Sequence, residues 1–460
     1  MVKFFKHHIP TSEFIKTIFE FAILLVSIPF AIYLTKNDLP DVPSLLTMML
    51  IYSSVVFLIM VSLGLYNRHL RDSINSSIIR AILTFVLAAV IMSSIFYALP
   101  HIAISRRAFT YAILISLAGI LFSRTSCYFL LANNLIYRKK ILVYGAGHRA
   151  SLISDLKRKS DIRHFNCIGY VPVEGENIKI DASRLINIPD SLYEYVVNNK
   201  VDEIIVALDD KRKSLPIRDL LDCKLYGVQI DELSTFFEKH IGRIKLQSVH
   251  PSNLVFSNGF MRSYINERTK RVLDLIAAIS LFLLVWPIML ITCLAIMLES
   301  GFKAPILYRQ TRVGQNNETF DVIKFRSMGV NAEKDGAVMA STNDNRVTKV
   351  GAFIRKVRID ELPQLWNVIK GEMSFVGPRP ERPEFVNQFS DSIQFYEVRH
   401  FVKPGLTGWA QICYPYGSNE EDTKNKLEYD LYYLKNYSLF LDLMIILHTI
   451  QVVLWKQGAK

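Results

Sequence analysis

Four long apolar stretches near the N-terminus constrain this chain more than any other feature. They cover 14–34, 45–66, 81–99 and 109–131. Each is about long enough to cross a hydrocarbon core of ~30 Å as a helix. At that depth the backbone must satisfy its own hydrogen bonds, which favours helices. Half of the residues are hydrophobic, too many for a purely soluble chain of 460 residues. No small-residue cleavage site follows the first stretch, so it reads as an anchor and not as a removed signal peptide.

The flanking charges orient the bundle. Lys3 and Lys6 precede the first stretch, and Arg68, Arg71 and Arg80 lie between the second and third. Arg138, Lys139 and Lys140 follow the fourth, whereas Lys36 is balanced by Asp38 and Asp41. Positive residues stay inside, so both ends of the bundle are expected in the cytoplasm. Arg106 and Arg107, in an outer loop on this reading, count mildly against it. Arg124, inside the fourth stretch, either faces the bundle or snorkels, and the sequence assigns it no function. The net charge of +12 suits anionic partners such as lipid headgroups, nucleotide phosphates or nucleic acid. Nucleic acid fits less well, because the cations cluster at membrane flanks and around one acid pair, not in an aromatic-lined stripe. Five scattered cysteines make no C-x-x-C, which suggests neither a disulfide framework nor a zinc site.

The pattern changes at Lys140. Expected strands at 141–144, 166–171, 204–208 and 228–230 alternate with helical stretches, which implies a parallel α/β sheet. After the first strand comes Gly145-Ala-Gly147-His-Arg-Ala150. Such a turn can lay a phosphate on a helix N-terminus, with Glu174 a candidate for the acidic residue further on. The simpler reading is that the glycines serve only a tight turn and close helix packing. If the turn binds anything, a regulatory role is favoured over hydride chemistry.

Further on, 272–298 is apolar but interrupted at Trp286-Pro287. By length it can be a fifth crossing. Proline in mid-segment and basic flanks on both sides (Arg268, Lys270 and Arg271; Lys303, Arg309 and Arg312) point instead to a re-entrant helix-break-helix. In 320–326, strand alternation would place Lys324 and Arg326 on one face, toward an anion or toward solvent. The stretch 331–345 is polar and reads as a loop, and 438–455 reads as an interfacial or packed helix.

Between these lies an adjacent acid pair, Asp360-Glu361, closed off by Pro363. Arg355, Lys356 and Arg358 precede it, and Gly377-Pro378-Arg379-Pro380 and Arg382 follow. Carboxylates among cations fit a phosphate-handling site: one can attack or hold a metal, while guanidinium forks grip phosphate oxygens. An isolated acid pair in a basic stretch is more often a solvated helix start, but the rigid Gly-Pro-Arg corner downstream argues against that here.

The run DELPQLWNVIKGEMSFVGPRP, 360–380, resembles the signature of bacterial polyprenyl-phosphate sugar-phosphate transferases, the monotopic phosphoglycosyl transferases. The resemblance extends from about Arg268 to the C-terminus. It includes Lys324-Phe-Arg-Ser-Met328 and Phe401-Val-Lys-Pro-Gly-Leu-Thr-Gly-Trp-Ala-Gln411. It implies a membrane region of four helices over 1–139, a Rossmann-like α/β domain over 140–240 and a connector over 241–267. A mostly helical catalytic domain over 268–460, with a re-entrant helix at 272–298, completes the chain.

The implied reaction moves a sugar 1-phosphate from a UDP-sugar to polyprenyl phosphate and releases UMP. It is the first membrane step of exopolysaccharide, capsule or O-antigen assembly, at the cytoplasmic face of the bacterial inner membrane. The resemblance makes Asp360 the nucleophile of a covalent aspartyl phosphosugar. Glu361 is expected in metal positioning or proton handling. Two anionic substrates call for charge neutralisation, and hard carboxylate and phosphate ligands suggest Mg²⁺ on Asp360 and Glu361. Lys324, Arg326, Arg355, Arg358, Arg379, Arg382 and Gln411 are expected to bind phosphate, uridine or sugar, with Lys403 a further candidate. A homodimer is compatible with the resemblance. A membrane-anchored nucleotide-sugar dehydratase using the Gly145 turn is disfavoured, because no tyrosine has a lysine four residues later. A non-enzymatic membrane scaffold or export regulator is opposed by the intact acid pair and Gly-Pro-Arg-Pro corner.

Overall fold

The computed structural model describes all residues except 1, 5–6, 37–39, 67–73, 133–137, 157, 163–164, 189–190, 211–214, 250–256, 258, 261–263, 303, 331–345, 415–418 and 455–460. Lys6, Asp38, Arg68, Arg71, Lys303 and the expected loop 331–345 thus lie outside the described residues. The chain forms two compact units, the first essentially residues 8–250 and the second 251–460.

The first unit begins with helices α1 (Thr11–Leu34), α2 (Val42–Ser62), α3 (Ile74–Ala98) and α4 (Arg106–Ala132). All four are long and apolar enough to cross a membrane. Their shared core is lined by small residues, with Ala31, Ala81, Ala88, Ala108 and Ala112 essentially inaccessible. Small side chains let helices approach closely where no hydrophobic drive separates lipid from protein. Large side chains such as Val26, Val90 and Phe122 point outward. Helix α3 starts seven residues before the apolar stretch, since Ser and Asn can continue a helix beyond the greasy part.

Arg124 faces the bundle. Its Nη2 lies 2.8 Å from Glu20 Oε2, and its Nη1 donates to the Leu65 carbonyl at 2.8 Å. Tyr66 also donates to Glu20 at 2.5 Å and stacks its ring on the Arg124 guanidinium. The arginine therefore has a carboxylate partner, which hydropathy alone did not single out.

The α/β part follows. Strands β1 (Lys139–Tyr144), β2 (Phe165–Val171), β3 (Glu203–Val206) and β4 (Gln229–Glu232) form one parallel sheet in the order β2-β1-β3-β4. Helices α5 (His148–Ser154), α6 (Leu192–Asn199) and α7 (Ile217–Leu225) connect them. Buried strands with continuous apolar runs are what a sheet covered on both faces requires. Ile141 and Val143 serve one core and Leu142 the other.

In the second unit, α8 (Tyr264–Glu299) is one continuous helix through Pro287. The break expected at Trp286-Pro287 is absent: proline removes one amide donor, and the neighbouring turns carry the helix on. By length and apolarity it is a fifth candidate span. One seam of α8 is packed along its whole length. Arg271 donates to the Val368 and Ile369 carbonyls, and Asp274 accepts from the Phe375 amide. Ala278, Leu281 and Val285 enter one apolar cluster, and Met289, Cys293 and Ile296 a second. Glu299 accepts from the Lys349 and Val350 amides. Leu284 and Ile291 stay exposed.

Strands β5 (Leu307–Val313) and β6 (Thr319–Phe325) pair antiparallel. Helix α9 (Lys349–Lys356) leads into a 3₁₀ turn, Ile359–Gln364, and then into α10 (Leu365–Lys370). Strands β7 (Ser374–Val376) and β8 (Gly405–Thr407) pair in parallel, with α11 (Pro383–Ser392) between them in sequence. Short α12 (Trp409–Cys413), α13 (Glu420–Lys435) and α14 (Leu439–Leu454) complete the unit. Helix α14 is a packed helix: Leu441 and Ile445 are fully buried, and Asp442 meets Lys270 of α8 at 2.7 Å.

Candidate active site

Asp360 and Glu361 ride on the 3₁₀ turn. Its apolar residues Ile359 and Leu362 join Phe325, Ile354 and Ile296 in a core cluster, which fixes the turn from beneath. The entry to it is strained. Arg358 has φ +59°, a left-handed conformation that a side chain with Cβ adopts at a cost. Such outliers persist where the surroundings over-determine them.

The two carboxylates have opposite environments. Glu361 Oε1 lies 3.0 Å from Arg379, 3.5 Å from Arg358 and 3.7 Å from Lys324. Burial alone would push its carboxyl up, but Arg379, Lys324 and Arg358 outweigh it and hold it at about 2. Asp360 is only 9% exposed, and its Oδ1 has no hydrogen-bond partner. Burial, reinforced by Glu361, pushes its carboxyl up to about 6 against the pull of Lys324, Arg358 and Arg355. One acid is thus paired and held well below the usual carboxylate range by its cations. Its neighbour is ionised at neutral pH, basic for a carboxylate, and carries a bare oxygen.

Arg379 is placed by the Gly-Pro-Arg-Pro corner. The Gly377 amide donates to Thr407 and the Gly405 amide to Pro378, which hooks β7 to β8. A Cβ at Gly377 would meet the Gly405 amide nitrogen at 2.9 Å, so the close approach requires glycine there. Behind the corner, Arg399 donates to the Arg379 carbonyl at 3.0 Å, to Asp430 at 3.0 Å and to the Tyr396 hydroxyl at 2.7 Å. Arg399 and Asp430 are both buried. Burial pushes Asp430 up to about 6, although Arg399 pulls it down.

Residues 265–456 match the family model described as bacterial sugar transferase, and residues 61–221 match one described as CoA-binding domain. The chain is 44% identical over 262 residues to a UDP-N-acetylgalactosamine-undecaprenyl-phosphate N-acetylgalactosaminephosphotransferase of Aeromonas hydrophila, covering 57% of this chain and 61% of that protein. It is 30% identical over 336 residues to a UDP-glucose:undecaprenyl-phosphate glucose-1-phosphate transferase of Xanthomonas campestris, covering 70% of this chain and 68% of that one. The chain belongs to the bacterial sugar transferases. A similarly described Escherichia coli K12 transferase is 34% identical over 264 residues, with 56% of each chain covered. The matched stretches thus span less than two thirds of the Aeromonas and Escherichia proteins.

In this sugar transferase the expected cations divide. Lys324, Arg358 and Arg379 all pair with Glu361, and Lys324 and Arg358 also act on Asp360 through their charge. Burial pushes the Lys324 ammonium pKa down, with Glu361 opposing. Arg355 acts on Asp360 through its charge. Arg326 lies one residue past β6, with its Nε buried and without a hydrogen-bond partner. Arg382 stands just before α11. Gln411 lies in α12 with Oε1 buried and unpartnered, while Lys403 sits near Gly371. Arg399 and Asp430 were missed by sequence reading. Their only signal is two opposite charges inside otherwise apolar, aromatic surroundings. Among the described residues, no group of three or more His, Cys, Asp or Glu could hold a metal ion.

The Gly145 turn carries a different surprise. Gly145 has φ +121°, as a tight turn after β1 demands. The amides that follow are already taken. Asp209 accepts from His148 at 2.9 Å and Arg149 at 2.8 Å. Glu176 accepts from Ala146 at 2.9 Å and Asp209 at 3.0 Å. Glu174, the acid expected from spacing, is exposed.

Proposed function

We propose that this chain transfers a sugar 1-phosphate from a UDP-sugar to undecaprenyl phosphate. The observation that carries the reading is Asp360: a buried carboxylate with a bare oxygen, beside a second carboxylate held by three cations. In the first step a carboxylate oxygen of Asp360 attacks the sugar-bearing phosphorus. The bond to the bridging oxygen breaks, and UMP leaves with that oxygen. An oxygen of undecaprenyl phosphate then attacks the acyl phosphate, and Asp360 returns as a free carboxylate. No proton is consumed, so the nucleophile needs only to be ionised. A carboxyl near 6 meets that condition at neutral pH and is more basic than an ordinary aspartate. Lys324, Arg358 and Arg379, preorganised on Glu361, offset the charge of the approaching diphosphate. Arg399 acts behind them by fixing the Arg379 backbone.

The donor set suits Mg²⁺. The bare oxygen of Asp360 is a hard ligand, and this ion is commonly held by one or two carboxylates completed by substrate phosphates. Asp360, with Glu361 at its side, would hold it, and it would supply charge neutralisation at the diphosphate. The coenzyme A implied by the second family description fits the middle domain poorly, since the turn's amides are occupied.

With no break at Pro287, the packed seam of α8 supports a helix that lies along the membrane surface. A straight helix of this length would extend roughly 54 Å, well beyond a hydrocarbon core. Both ends and the middle instead touch one catalytic unit, which would remain on the cytoplasmic side, where UDP-sugars occur. This reading places the protein in the inner membrane at the first membrane step of polysaccharide assembly. The test is UMP release from a panel of UDP-sugars, using protein in nanodiscs with Mg²⁺ and undecaprenyl phosphate. Lipid-dependent release with wild type and none with Asp360→Asn is expected, together with a phosphosugar adduct on Asp360 by mass spectrometry. Release that survives in Asp360→Asn would sink the covalent step.

A further inference from the structure

The middle domain has the outline of a nucleotide site. Its strand order reverses direction between β1 and β3, and ligands of open α/β sheets enter at the carboxyl ends of such a pair. The Gly145 turn leaves β1 there, and Asp209 follows β3 on the other side. The first amides of a helix have no intrahelical acceptor and ordinarily take a capping group or an anion.

Here both acceptors come from the chain. The Asp209 carboxylate spans the His148 and Arg149 amides, one oxygen to each. The Glu176 carboxylate bridges the Ala146 and Asp209 amides, which ties the loop after β2 to the loops after β1 and β3. A Cβ at Gly147 would collide with the Asp209 carboxylate, so this glycine makes room for an aspartate. The Arg149 guanidinium, the cation nearest in sequence that could greet a phosphate, donates to the Ser248 carbonyl at 2.8 Å. An incoming phosphate would meet two carboxylates and would have to displace tethered acceptors from the Ala146, His148 and Arg149 amides.

We infer that Asp209 and Glu176 close this turn as built-in substitutes for phosphate, so the middle domain holds neither coenzyme A nor a dinucleotide by its phosphates. The domain is a clamped structural module. This concerns the middle domain alone, so its failure leaves the transferase reading untouched.

The experiment uses the full chain in nanodiscs. Calorimetric titration with coenzyme A, NAD⁺ and ADP, each at millimolar concentration, should show no binding. Hydrogen exchange should show the His148 and Arg149 amides protected in wild type and unchanged by the three ligands. In Asp209→Ala those two amides should exchange at least about tenfold faster, the weight of a hydrogen bond to a charged acceptor. Asp209→Asn, with one carbonyl oxygen left, should fall between and serves if the alanine variant does not fold. Binding of any of the three to wild type with new protection over 145–151 would overturn the inference. Unchanged protection in the Asp209 variants would overturn it as well, since another group would then hold the amides.

Discussion

The acid pair and the Gly145 turn both read in sequence as places for a phosphate, and they behave oppositely in the fold. Each joins carboxylates to groups that attract anions. At the turn, Asp209 and Glu176 consume the amide donors, so the site is finished without a ligand. At the acid pair, Glu361 takes three cations, and Asp360 is left buried with an oxygen that nothing among the described residues satisfies. The difference separates structure from chemistry. A polar cluster closed by its own partners stabilises, while one that leaves a buried group unmatched waits for something else.

The comparison breaks most easily at Asp360. Asp360→Asn should lower UMP release by about a thousandfold or more, as loss of a nucleophile does, with thermal stability unchanged or raised. Stability rises if anything, because a buried carboxylate without a full set of partners is a burden to the fold. A clear loss of stability would mean that Asp360 is a structural residue. Arg399→Ala should do the reverse. It strands Asp430 and frees the Arg379 carbonyl, costing about 3–5 kcal/mol of stability. Its activity at low temperature should fall less than that of Asp360→Asn. Arg399→Lys should not rescue it, since one ammonium cannot reach Tyr396, Asp430 and Arg379 together. Denaturation of detergent-solubilised protein, followed beside UMP release, separates the two variants.

The buried pair in the membrane bundle gives a third, milder case. Glu20 and Arg124 pair with each other, and Tyr66 and the Leu65 carbonyl add further hydrogen bonds to them. Glu20→Ala should destabilise the bundle by about 1–3 kcal/mol in a detergent-denaturation titration, because it leaves Arg124 buried without its carboxylate. The double variant Glu20→Ala, Arg124→Leu should recover much of that loss. No change in the single variant would mean that water or lipid headgroups reach Arg124.

What the sequence makes legible follows the same division. Period and hydropathy revealed the four helices and the parallel strands, because each is a repeated pattern along one segment. The acid pair was legible as residues, since Asp360, Glu361 and Arg379 sit within one short run. Their division of labour was not. Lys324 comes from β6 and Arg399 from a turn after α11, and only the fold decides that both serve the Glu361 side. Asp209 was invisible for the same reason: it lies 61 residues from the His148 amide it caps. Pro287 misled in the other direction, because local chemistry predicts a break that the packed seam of α8 carries through.

The finest test of the acid pair is the position of the pH profile, not its height. Attack requires the Asp360 carboxylate, so kcat/KM should fall as pH drops through about 6. Glu361 pushes that value up and the surrounding cations push it down. Glu361→Gln should therefore move the acid limb to lower pH, and Lys324→Met should move it to higher pH, whatever either does to the maximum rate. Arg355→Ala should shift it the same way as Lys324→Met but by less, since its pull on Asp360 is the weaker of the two. Shifts of opposite sign from the neighbouring acid and the neighbouring lysine would assign the titration to Asp360. A limb that stays fixed in all three variants would place the titrating group on the substrate phosphate instead, and the bare oxygen of Asp360 would then need another explanation.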